Sequence, residues 1–120
     1  MAMRAHRDIG LYVHIPFCKQ RCHFCAFYLE VARTERMQSF CTALAQEINL
    51  YRQDGLVGAR PLRSIYFGGG TPTVLPAVQL VSLLQLIQKT WPTESSAEIT
   101  VEAHPSTVSC GDLSILVDAG

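Results

Sequence analysis

Three short runs rich in β-branched and aromatic residues punctuate the chain: LYVHI at 11–15, LRSIYF at 62–67 and EITVEA at 98–103. Between them the apolar residues switch to a helical spacing. Met37, Phe40, Cys41, Leu44, Ile48 and Tyr51 recur at three- and four-residue steps after Thr34, and Gly55 is a plausible stop. A second stripe, Leu80, Leu83, Leu84, Ile87 and Trp91, starts near Pro76, runs to about Thr90 and is closed by Pro92. Ser109 can cap a third helix through Leu113, Leu116 and Val117 to Gly120. The glycines and proline of 54–61, DGLVGARP, and the polar segment PTESSAE at 92–98 read as connecting loops. Strand and helix thus alternate three times. That order predicts an α/β fold with a parallel sheet and crossover helices. No internal repeat goes beyond this rhythm.

In parallel α/β folds ligands bind beyond the carboxyl ends of the strands. Three chemically distinctive features fall there. Pro16 ends the first strand, and CKQRCHFC follows at 18–25, carrying Cys18, Cys22 and Cys25 in a C-x3-C-x2-C spacing. Three thiolates on one loop can hold three corners of an iron–sulfur cube and leave the fourth iron open to another ligand. The second strand runs into GGGTPT at 68–73. Consecutive glycines let the backbone turn sharply and expose its polar groups. This string matches neither the dinucleotide fingerprint nor the P-loop, so by itself it is compatible with a plain strand-to-helix turn. Glu102 lies at the end of the third strand, on the face opposite Ile99 and Val101. An open iron, a flexible backbone ledge and a carboxylate suit a polar cofactor with an amine, a carboxylate and ribose hydroxyls.

Blander readings of the cysteines stay open at this point. They could be clustered structural thiols, or a Cys3His zinc site completed by His14 or His23. Zinc sites usually use two tight pairs with a long spacer, and this loop has one triplet. Disulfides fit poorly, because three half-cystines in one loop leave an odd thiol. Cys41 lies on a helical stripe and reads as a small buried hydrophobe. His14 and His104 read as satisfied or surface histidines. Phe17, Phe24, Phe27 and Tyr28 are expected to crowd the thiols and keep water from a metal.

Composition narrows the classes. With 120 residues, 48% hydrophobic, 17% charged and no formal net charge, the chain suits one globular unit and not a disordered one. Ten basic against ten acidic residues give no electrostatic case for nucleic acid. No apolar run approaches the roughly 18 residues of a membrane span. The start, MAMRAHRDIG, has no apolar core of a secretory signal, and its few cations are weak support for a transit peptide. A reducing cytoplasm is the expected location.

LYVHIPFCKQRCHFCAF, IYFGGGTPT and EITVEAHP together resemble the radical S-adenosylmethionine superfamily. More narrowly they resemble the branch of oxygen-independent coproporphyrinogen III oxidases and the related haem chaperones (HemW). The resemblance implies that residues 10–120 are the amino-terminal portion, three βα units, of a partial TIM-type barrel with parallel strands, preceded by an extension at 1–9. It implies that Cys18, Cys22 and Cys25 ligate a 4Fe–4S cluster whose fourth iron is chelated by S-adenosylmethionine. Gly69, Gly70 and Thr71 would hold the cofactor's methionine amino group, and Glu102 would accept hydrogen bonds from its ribose. Tyr12 would sit near the cofactor and Phe24 near the adenine. One electron from the cluster would cleave the sulfonium and give a 5′-deoxyadenosyl radical. The implied partners are an electron donor such as flavodoxin or ferredoxin, and porphyrin or haem through regions this chain does not contain.

Two departures matter. The oxidases often carry a further cysteine two residues after the third ligand, where this chain has Phe27, which favours the HemW-like side. His23 stands where relatives often have proline, and it could crowd the cluster or offer a stray ligand. A haem chaperone without oxidase activity, a methyltransferase relative and a small zinc module are the competing functions. Three units of a barrel of about six would leave a sheet edge and apolar helix faces uncovered, so the chain is expected to be a partial protein, marginally stable and without turnover alone.

Overall fold

The computed structural model describes residues 9–55 and 57–120. The expected extension at 1–9 lies outside them except for Ile9, which opens the first strand, and Leu56 of the 54–61 loop also lies outside. In chain order the elements are β1 (Ile9–Ile15), β2 (Phe17–Cys18), β3 (Glu30–Val31), α1 (Thr34–Asp54), β4 (Leu62–Gly69), a 3-10 turn (Pro72–Val74), α2 (Ala77–Thr90), β5 (Thr93–Val101) and α3 (Cys110–Asp118). β1, β4 and β5 form a parallel sheet in the order β1-β4-β5. Each helical crossover returns the chain to the same end of the sheet, so every strand terminates on one rim.

Period-two alternation gives the sheet two unlike faces. Val13 and Ile15 of β1 and Ile65 and Phe67 of β4 are buried, and Ile99 and Val101 of β5 pack against them. α1 contributes Cys41 and Ile48 to this core, and α2 contributes Leu80, Leu83, Leu84 and Ile87. Both helical stripes therefore cover the same face. Burial pushes the Cys41 thiol up from its ordinary value, which suits a packing role. The residues between, Tyr12 and His14 on β1, Tyr66 on β4 and Thr100 on β5, lie on the other face, where Tyr12 is 57% and Tyr66 38% exposed.

The helix ends follow their local chemistry. Gly55 terminates α1 in the left-handed region, with φ 66°. At α3, Ser109 accepts from the Asp112 N–H and the Asp112 side chain accepts from the Ser109 N–H, a complete capping box. The Ser109 hydroxyl, donating to Asp112 Oδ2 at 2.6 Å, and then the Ser109 N–H hold the Asp112 carboxyl below its ordinary range.

Two expectations are corrected. The segment 92–98 is not simply a loop, because β5 begins at Thr93, opposite Leu62, and reaches Glu98 opposite Ser64 across an irregularity in the register. Its residues there are half-buried or exposed and mostly polar, so the strand carries no apolar alternation to mark it. The cysteine loop, in turn, has a small sheet of its own. β2 pairs parallel with β3, and the Glu30 N–H donates to Pro16 O at 2.6 Å and the Ala32 N–H to Cys18 O at 2.8 Å. Arg36 in the first turn of α1 forms a two-pronged ion pair with Glu30 at 3.0 and 3.2 Å and lowers the Glu30 carboxyl. The loop is thereby clamped at its base and free beyond it.

Candidate cluster and cofactor site

The rim at the carboxyl ends of β1, β4 and β5 gathers the cysteine loop, the glycine segment and Glu102. Phe17 anchors the start of the loop. Its ring is buried and meets Phe40 of α1 edge to face at 5.4 Å and 89°. Cys18 follows, half-buried, with Cys25 also half-buried and Cys22 exposed. A turn closed by the Cys25 N–H on Cys22 O at 3.1 Å joins the last two. Among the described residues, all five cysteines are free thiols and no three His, Cys, Asp or Glu side chains are drawn round one point. The thiols therefore share a loop without a preassembled metal geometry.

The glycine segment abuts the first thiol. The Gly70 N–H donates to Ile15 O at 2.8 Å and the Thr71 N–H to Phe17 O at 2.7 Å, which ties the end of β4 to the β1–β2 junction. Gly69 holds φ 112°, a conformation that side chains disfavour. At Gly70 an added Cβ would stand 2.5 Å from Phe17 O and 2.9 Å from Cys18 Sγ. Only glycine lets the ledge lie this close to the cysteine. The Thr71 hydroxyl reaches Cys18 Sγ at 3.5 Å. The Gly70 and Thr71 N–H groups are occupied within the fold. A ligand amino group needs acceptors in any case, so the carbonyls of this segment and the Thr71 hydroxyl are the groups that suit it. Cys18, Cys22, Thr71, His104, Ser106 and Thr107 are among the residues lining a pocket of about 270 Å³ beside the ledge.

Glu102 stands one residue beyond β5, its N–H donating to Phe67 O at 3.0 Å. Its carboxylate Oε1 accepts from Tyr66 Oη at 2.6 Å. Tyr12 lies beside Tyr66, with ring centroids 5.9 Å apart, and its hydroxyl is 3.0 Å from His14 Nδ1. Tyr12 and Glu102 are thus brought to one place. Phe24 is not: it projects from the cysteine loop, 90% exposed. Phe27 and Tyr28 are exposed as well, so of the four rings expected round the thiols only Phe17 is packed, and it faces the core. A loop held only at its base leaves those three rings largely in solvent.

Sequence reasoning missed Tyr66. Read alone it was one more aromatic in a strand, and its place between Ile65 and Phe67, which period two sends to the opposite face, was the available signal. His104 is satisfied and at the surface, as its sequence reading expected. Its Nδ1 accepts from the Ser106 N–H at 3.2 Å and lies 2.8 Å from the Ser106 hydroxyl, and its own N–H donates to Thr73 Oγ1 at 3.3 Å. His104 thus knots the end of β5 to the glycine turn.

The donor set fits an iron–sulfur group of the kind the sequence implies. It has three free thiols, accessible from solvent, on a loop whose first member lies against a side-chain-free ledge. Over 111 residues the chain is 38% identical to the heme chaperone HemW of Bacillus subtilis, covering 91% of this chain and 28% of that one. It is 32% identical over 110 residues to the anaerobilin synthase of Escherichia coli O157:H7, covering 92% and 25% respectively. The structure of coproporphyrinogen III oxidase (HemN) from Escherichia coli, a radical SAM enzyme, superposes with a TM-score of 0.87 at 34% identity, over 95% of this chain and 26% of that chain. The chain spans about a quarter of the length of these relatives, matching the amino-terminal part of the HemN fold. The model of the radical SAM superfamily matches residues 12–120. The chain belongs to the radical SAM superfamily, in the neighbourhood of HemN and HemW.

Proposed function

We propose that this chain is the cluster- and cofactor-binding part of a HemW-like radical SAM protein acting in haem or porphyrin metabolism. The observation that carries the reading is the shared rim: the thiol loop after β1, the glycine ledge after β4 and Glu102 after β5 all open to one side of one sheet. Cys18, Cys22 and Cys25 would hold a 4Fe–4S cluster, and binding would draw together thiols that share only a loop in its absence. When bound, a reduced cluster would supply one electron to S-adenosylmethionine, whose cleavage yields a carbon radical. The protein's own residues orient and shield. Carbonyls of Gly69 and Gly70 and the Thr71 hydroxyl would take up the amino group, and Glu102 would accept from the ribose hydroxyls. Tyr12 would flank the sugar, and Phe24, swung in from its exposed position, would cover the adenine.

Phe27 in place of a further cysteine, and the 38% identity with HemW, favour the chaperone side over the decarboxylating oxidase. An external one-electron donor and haem are the partners this reading requires, with haem bound through segments beyond this quarter of the relatives' length. Among the described residues no helix is long and apolar enough to cross a membrane.

The test is anaerobic reconstitution with iron and sulfide, then electron paramagnetic resonance of the reduced protein with and without S-adenosylmethionine. A 4Fe–4S signal that shifts with the cofactor, and is missing from a C18A/C22A/C25A variant, is the expected result. One tightly held zinc per chain and no cluster would replace the reading with that of a zinc module.

A further inference from the structure

The exposed face of the sheet carries one residue, Tyr66, that the reading above does not use. Tyr12, Tyr66 and Glu102 converge over Gly68. A Cβ added there would stand 2.8 Å from the Tyr66 ring, 3.0 Å from the Tyr12 ring and 3.3 Å from the Glu102 carboxyl carbon. Glycine at this position makes room for all three to meet. The register sets them on neighbouring strands, with Tyr12 opposite Tyr66 and Glu102 just past the partner of Phe67.

We propose that Tyr66 is a positioning residue for the Glu102 carboxylate, holding Oε1 at 2.6 Å so that the second oxygen faces a vicinal diol of the bound nucleoside. This rests on Glu102 as the ribose acceptor. A carboxylate at an exposed strand end otherwise samples several rotamers and loses that freedom on binding. Tyr66 removes part of that cost in advance. Tyr66 is itself braced by the Tyr12 ring at 5.9 Å, and Tyr12 by its hydroxyl contact with His14 Nδ1 at 3.0 Å. The hydrogen bond to Glu102 also pushes the Tyr66 phenol above its ordinary value, so it stays a donor throughout the neutral range. The row His14–Tyr12–Tyr66–Glu102 thus runs from β1 across β4 to the end of β5 and ends on the second carboxylate oxygen.

The test measures S-adenosylmethionine affinity by calorimetry on the reconstituted chain, for wild type, Tyr66→Phe, Glu102→Ala and the double variant, at equal cluster loading. Tyr66→Phe keeps the ring and removes only the donor. Its dissociation constant is expected to rise about tenfold, the scale of a hydrogen bond to a charged group. In the Glu102→Ala background the same change should cost nothing further, because a positioning residue has nothing left to position. Wild-type affinity in Tyr66→Phe, or a loss that simply adds to that of Glu102→Ala, overturns the proposal and leaves the ribose role of Glu102 standing. If Glu102→Ala binds as tightly as wild type, the ribose role falls and the proposal falls with it.

Discussion

The two faces of the β1-β4-β5 sheet are built from the same three strands and do opposite things. On the covered face Val13, Ile15, Ile65 and Phe67 are buried under α1 and α2. On the other, one residue along from buried neighbours, Tyr12 lies beside Tyr66, Tyr66 donates to Glu102 just past β5, and all three face solvent. A pleated strand sends successive side chains to opposite sides. A chain can therefore vary one set for packing and the other for chemistry, with the backbone shared. Stability and ligand binding should then separate cleanly by face, and the glycine ledge, where backbone meets cysteine, should belong to both.

The largest effect expected is on the covered face. Phe67→Ala should cost about 3–5 kcal/mol, since it leaves a large cavity among side chains that cannot collapse to fill it. For a chain of this size that is a substantial share of the total. The check is the urea midpoint, and a shift under about 1 kcal/mol would mean that the packed face is not what holds the fold. Gly70→Ala should be intermediate. Its Cβ would lie 2.5 Å from the Phe17 carbonyl oxygen, backbone that cannot swing aside as a flexible side chain can. A cost of about 1–3 kcal/mol is expected, together with a change in the alkylation rate of Cys18, followed by mass spectrometry. An unperturbed Cys18 would detach the ledge from the thiol loop. The smallest effect should come from Tyr12→Ala on the exposed face, within about 0.5 kcal/mol of wild type by the same urea measurement. A loss several times larger would show that the exposed face also carries stability, and the division between faces would fail.

Much of this architecture was legible beforehand because it rests on local rules. The stripe from Met37 to Tyr51 became α1, and Gly55 stopped it in a left-handed cap. Ser109 capped α3 as its spacing with Asp112 allowed. The polar stretch at the start of β5 was illegible for a physical reason: none of its side chains is buried, and its strand character comes from backbone pairing with β4. The same holds for β2 and β3, two residues each, too short for any pattern. At the site, the cysteine spacing and the glycine run announced themselves by residue type. The packing expected around the thiols did not follow, because ring-rich sequence says nothing of whether a wall stands nearby. Phe24, Phe27 and Tyr28 stay exposed.

The sequence by itself determined the strand–helix order and hence the parallel sheet, the thiol triplet, the turn glycines and the carboxylate at the end of β5. Each depends on composition within a few residues, where periodicity, caps and ligand chemistry act. Only the tertiary structure decided which side chains meet. Tyr66 reaches Glu102 across 36 residues of sequence, and Gly70 lies against Cys18 across 52. Those contacts depend on strand register and on crossover helices packing to one face. Both are set by burial summed over the whole core, a quantity no local window of sequence contains.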